Sequence, residues 1–290
     1  MVAQLSRFLG FFALVVAFTA PAVAQDPDYI LIMRYETSSE KLGDLGSSSS
    51  RGSAALTERI LTQADEQLEI EYAIPGDPGE IRGNAMWMYP ARVAIAPDGS
   101  KTLLNSAELD ARVEQWLAEA QWPREACGRW LFTWTAFQIL CDPDDVLAEV
   151  EAQEMRLRQY DAGFATWLAL ISAPVALEKA GMWGDLRVFT GTAPIGRADL
   201  LENQIQSELG RAEIFGEALS EEEARAKLSG FDASGTYTVE LEVDASGLVW
   251  ARTERFEMLL TGLEDGDERR TGTTVTTRRS FEDWTASQRD

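Results

Sequence analysis

The chain has 290 residues, 45% hydrophobic and 26% charged, enough to build a core in one large domain or two smaller ones. It contains no histidine, which excludes Ser-His-Asp and Cys-His catalysis and His-ligated zinc or haem, and leaves acid–base work to carboxyl, Lys, Tyr or Cys groups. With 48 acids against 26 bases the net charge is −22, which disfavours nucleic acid as a partner.

Residues 1–24 read as a secretory signal peptide. Arg7 supplies the positive start, Phe8 to Phe18 the apolar run, and Ala22-Val23-Ala24 a small-x-small cleavage site before Gln25. The alternative is an uncleaved anchor, but the run is short of the roughly 20 apolar residues a span needs. Cleavage near Ala24 would place the mature chain in the periplasm or outside the cell, with no integral membrane segment.

Tyr29 to Glu36 has strand character, and Gly43 to Ser53 reads as a low-complexity loop. Ala55 to Gln63 is expected as a second strand. Gln67 to Ile74 alternates cleanly, with Leu68, Ile70, Tyr72 and Ile74 on one face. Asn84 to Ala96 is expected as a strand interrupted at Pro90. A helix follows, with Asn105 or Ser106 as its cap, Glu108 spaced from Asn105 as in a capping box, and Leu109, Val113, Trp116, Leu117 and Ala120 on one stripe.

Cys127 and Cys141 are the chain's two cysteines, bracketing the aromatic segment RWLFTWTAFQIL. A hairpin centred near Trp134 would set them opposite each other, and an oxidising compartment would join them. The alternative is two buried thiols. Asp142 and Pro143 then open a helix with acids at its positive end.

An apolar helix is expected near 162–180, followed by a glycine-rich stretch. Asp199 is expected to cap a helix ending at Gly210, and Ser220 with Glu223 forms a second capping box. Beyond it lies a meander in which Tyr237, Val239, Leu241 and Val243 share a face. A return strand is expected from Leu248 to Leu260, with Leu248, Trp250, Phe256, Met258 and Leu260 on one face, and Arg269 to Phe281 reads as an exposed, Thr-rich strand. The expected class is α+β, with two antiparallel β blocks flanking a helical middle. The segments are 25–158 and 159–290, with one domain as the alternative.

No residue is assigned a catalytic role, and no cofactor or metal is expected. The acids Asp142, Asp144 and Asp145 lack calcium-loop spacing and suit a helix start. Glu69/Glu71 and Glu240/Glu242 have the separation of a glycosidase pair, yet sit on the polar faces of strands. Trp130, Trp134 and Phe137 are the candidate ligand-binding residues, with core packing the competing explanation. Long antiparallel strands with helices nearby can curve around a cavity, in outline similar to lipoprotein-carrier half-barrels. The resulting expectation is a non-enzymatic envelope protein binding an apolar ligand or an envelope partner. The alternatives are a carboxylate-dependent hydrolase of envelope polysaccharide and an outer-membrane barrel, the last opposed by the capped helices and acidic surface.

Overall fold

The computed structural model describes residues 28–287 apart from 44–45, 65–66, 77–82, 98, 133–135, 153–154, 156–157, 161–162, 167, 169 and 172. The expected leader and Trp134 lie outside the described residues.

The fold is α+β, and its two β blocks join into one antiparallel sheet. The N-terminal meander comprises β1 (Tyr29–Lys41), β2 (Ser47–Ala64), β3 (Gln67–Ala73), β4 (Ala91–Ile95) and β5 (Lys101–Leu103). The C-terminal meander comprises β8 (Arg158–Tyr160), β9 (Gly163–Thr166), β10 (Val175–Trp183), β11 (Leu186–Gly196), β12 (Asp232–Val243), β13 (Val249–Thr261) and β14 (Glu268–Ser280). β14 pairs antiparallel with β1, from Tyr29↔Ser280 to Lys41↔Glu268, giving twelve strands in the order 5-4-3-2-1-14-13-12-11-10-9-8. The expected division at 158/159 falls within β8.

Between the meanders lie α1 (Ala85–Met88), α2 (Ser106–Glu119), a two-stranded ribbon of β6 (Trp130–Phe132) and β7 (Ala136–Gln138), and α3 (Asp144–Ala152). Further on come α4 (Arg197–Phe215), α5 (Glu221–Lys227) and α6 (Phe281–Ser287). One core cluster unites Val93 of β4 and Phe189 of β11 with Val113 of α2 and Val146 of α3. Strands from both halves of the sheet therefore share their buried face with the helices, as a long twisted sheet does when it curls. Both edge strands, β5 and β8, are only three residues long, which limits edge-to-edge pairing.

The hairpin register is as the cysteine spacing implies. Trp130 pairs with Gln138 and Leu131 with Phe137, and Cys127 bonds Cys141 with their Cα atoms 5.7 Å apart. Ser220 and Glu223 form the expected capping box, and Asp142 accepts the Asp144 N–H at the start of α3.

Other local expectations are corrected. Ser47 to Ser53 is not a loop but the first part of β2, fully paired with β1. Asn84 to Ala96 is one helical turn, a cis Tyr89–Pro90 bond and then β4. Asn105 occupies the N-cap position of α2, but its side chain makes no cap hydrogen bond to the helix. That side chain accepts the Arg92 N–H and donates to the Pro90 carbonyl, tying the helix to β4. In place of a helix near 162–180 the described residues form β9 and β10, where Val175 and Leu177 are buried in alternation. Asp199 sits inside the first turn of α4 and accepts the Gly196 N–H, while the helix runs past Gly210 to a left-handed Gly216. β14 is a central strand, not an exposed one. A register shift at Glu242/Val243 turns Val249 inward and divides Leu248 and Trp250 from the inward Phe256, Met258 and Leu260.

Candidate functional site: a cavity in the inner face of the sheet

Cross-strand pairing sorts the inner face of β2, β1, β14, β13 and β12 into rows. Leu56, Leu31 and Arg278 form the first. Ala54, Met33, Thr276, Arg252 and Leu241 form the second, and Gly52, Tyr35, Thr274, Glu254 and Val239 the third. Ser50, Thr37, Gly272, Phe256 and Tyr237 follow, then Ser48, Ser39, Arg270, Met258 and Gly235. The first rows carry aliphatic bulk. Apart from Tyr35 and Arg270, the later rows on β2, β1 and β14 carry glycine, serine and threonine where a packed sheet would place Val, Ile or Leu, so these side chains fill little space.

The resulting cavity encloses about 660 Å³, within the range of about 300–1,000 Å³ usual for small-molecule sites. Its deep wall contains the buried Tyr237, Arg252, Glu254, Met258, Glu268 and Thr276. Met33, Phe256 and Leu170 are half-buried along its sides, and the exposed rim carries Ser38, Ser48, Ser49, Ser50, Thr271 and Glu149 of α3. Tyr237 and Phe256 stack with ring centroids 5.9 Å apart and planes 26° apart. The Phe256 ring lies over Gly272, where an added Cβ would meet ring carbon at 2.2 Å. Glycine there makes room for the aromatic wall.

The buried charges on the deep wall are joined to one another. Arg252 pairs with Glu254, and the Tyr237 hydroxyl donates to Glu254 Oε2 at 2.7 Å. Burial, reinforced by the Glu254 charge, pushes the Tyr237 phenol above its ordinary pKa, so it stays protonated. Arg270 donates from Nε and Nη2 to the two Glu268 oxygens at 2.8 and 2.9 Å. That contact, helped by Ser39 and Lys41 and opposed by burial, holds the Glu268 carboxyl below its usual range.

Among the described residues three carboxylates, Glu149, Glu254 and Glu268, line the cavity, but Glu268 is held in its charged form and does not suit the role of a proton donor. The sequence-derived pairs Glu69/Glu71 and Glu240/Glu242 do not line this cavity. Glu71 pairs with Arg59 at 3.1 Å, while burial and the neighbouring Glu240 raise Glu242.

The aromatic candidates divide between two faces of the small ribbon. Phe137 pairs with Leu131 and packs against the core, as do Trp116 and Trp122 in edge-to-face contact at 5.4 Å. Trp130 faces away from the core. With Phe132, Gln138 and the α4 residues Gly210, Ile214 and Phe215 it lines a separate surface groove of about 690 Å³. The groove and the sheet cavity have no lining residue in common.

The inner-face hydroxyls were missed by sequence reasoning because a serine run reads as low complexity. The period-2 series Ser48, Ser50, Gly52, Ala54, Leu56, and its counterpart Arg270, Gly272, Thr274, Thr276, Arg278, was the available signal.

Comparison with known proteins adds no identity. No family model matches the chain, and no curated protein matches it. A solved structure of a conserved protein of unknown function with hot dog fold, from Alicyclobacillus acidocaldarius, is 10% identical. The alignment covers 90% of this chain and 82% of that one at a TM-score of 0.12, which carries nothing about fold or function.

Proposed function

We propose that this is an exported envelope protein whose curled sheet holds one small amphiphilic ligand, without chemical turnover. The observation that carries the reading is the cavity itself. It is a space of about 660 Å³ with an aromatic and thioether wall from Tyr237, Phe256, Met33 and Met258, opening at a hydroxyl rim. Such a wall favours hydrocarbon by roughly 25 cal/mol per Å² of apolar surface removed from water. Export draws support from the signal-like residues 1–24 and from the Cys127–Cys141 bond, which persists in oxidising compartments. Among the described residues no helix is long and apolar enough to cross a membrane.

A carboxylate-dependent hydrolase is the weaker reading. It draws on the three cavity glutamates, but Arg270 holds Glu268 charged.

The test is a titration with the uncharged fluorophore N-phenyl-1-naphthylamine. The wild-type protein is expected to bind one equivalent saturably. Thr274→Trp, which fills the cavity from its middle row, is expected to abolish binding while retaining the circular dichroism of the fold. Equal binding by the variant would remove the cavity from consideration.

A further inference from the structure

The rim of the cavity has a composition of its own. Thr37 pairs with Ser50 and Ser39 with Ser48 across β1 and β2, and Thr274 lies one row further in on β14, opposite Tyr35. Ser48 Oγ reaches Ser39 Oγ at 3.4 Å. Ser39 is already engaged, accepting from Ser48 and donating to the Glu268 carboxylate, while each hydroxyl of the ladder donates one hydrogen bond and accepts others, so the ladder offers donors and acceptors without a formal charge of its own. A polyhydroxylated group presents the same alternation.

The charges nearby do not suit an anionic head. Among the described lining residues, Glu149, Glu254 and Glu268 stand against Arg252 and Arg270. Arg270 directs Nε and Nη2 onto both oxygens of Glu268, and Arg252 pairs with Glu254. A carboxylate or phosphate head would have to compete for these guanidinium groups, which already hold carboxylates, in a chain of net charge −22. The rim chemistry thus selects by hydroxyl pairing, while the Tyr237–Phe256 wall accepts the hydrocarbon.

We infer that the cavity is selective for amphiphiles with an uncharged sugar head, the glycosyl hydroxyls pairing with the Thr37, Ser39, Ser48, Ser50 and Thr274 ladder. This rests on the reading of the cavity as an amphiphile site and names the ligand class that site would take.

The experiment displaces bound N-phenyl-1-naphthylamine from the full mature chain with three amphiphiles of one chain length, all below their micelle concentrations. These are decyl maltoside, decanoate and decyltrimethylammonium. The maltoside is expected to displace the probe at a concentration at least about tenfold lower than either charged compound, a difference of about 1.4 kcal/mol. The Ser39→Ala/Ser48→Ala double variant should bring that ratio down toward unity. Decanoate or the ammonium compound matching the maltoside in the wild type would overturn the headgroup assignment and leave the amphiphile site standing. A ratio unchanged in the double variant would do the same. Displacement by none of the three would overturn both.

Discussion

Arg278 and Glu58 stand 220 residues apart and meet in a bidentate ion pair whose side chains are 0% and 3% exposed. Arg278 Nε and Nη2 hold both Glu58 oxygens, and its Nη1 donates to the carbonyls of Met155 and Val249. The Tyr29 ring covers the guanidinium at 5.6 Å. One side chain thus ties β14 to β2, to the start of β13 and to the segment after α3, at the seam where the two meanders join. Removing one partner of such a pair strands the other charge. Arg278→Leu is therefore expected to cost about 3–5 kcal/mol in urea denaturation. A loss under about 1 kcal/mol, the usual value of an exposed pair, would contradict the role.

The cysteine bridge closes a sequence separation of 14 residues. In the chain-entropy model a loop of this size restrains the unfolded chain by about 3 kcal/mol. The double variant Cys127→Ser/Cys141→Ser should lose close to that amount in equilibrium unfolding. An unchanged midpoint would show that the ribbon is ordered by its packing on α4 and the Asn84 hydrogen bonds alone.

Acid sensitivity follows from Glu268. Its carboxyl is held low by the Arg270 hydrogen bonds, so its contribution to stability is present above the unfolded pKa of about 4.3 and drains away as pH falls through the lower folded value. Asp145, raised by burial, acts in the opposite sense, since protonation relieves it. Glu268→Gln is expected to flatten the fall in Tm below about pH 5 while lowering Tm at neutral pH. A variant curve parallel to the wild type would contradict the assignment.

Gly210 lies inside α4, where alanine would ordinarily be favoured by about 1 kcal/mol. Here an added Cβ would meet the Trp130 ring at 2.8 Å. Gly210→Ala should therefore destabilise the wild type and stabilise a Trp130→Ala background. That change of sign is measurable in a double-mutant cycle. Destabilisation of both backgrounds would place the cost elsewhere.

Export is checked by intact mass. Protein recovered from the envelope of its native cell should begin at Gln25 and carry no free thiol. A full-length chain with two reduced cysteines would contradict both expectations.

The sequence disclosed most where one face of an element is buried. Tyr237, Val239, Leu241 and Val243 alternate because β12 packs one side on the core, and the Ser220–Glu223 box is local chemistry that needs no tertiary partner. Cys127 and Cys141 were placed because hairpin pairing carries a fixed register sum. The β1–β14 pairing was not legible, since it joins the two ends of the chain and no local pattern encodes it. The cavity escaped for a related reason: its wall is built from small and hydroxylated residues, which resemble loop sequence until neighbouring strands supply their backbone partners. Residues 163–166 and 175–183 misled by apolar content, which does not separate a buried strand from a buried helix.

The central claim is that the inner face of the sheet holds one amphiphile. Native mass spectrometry of gently purified mature protein tests it directly. The account predicts a single non-covalent adduct per chain, absent from Thr274→Trp purified in parallel. A bare wild-type mass, or an adduct retained by the cavity-filled variant, would contradict it.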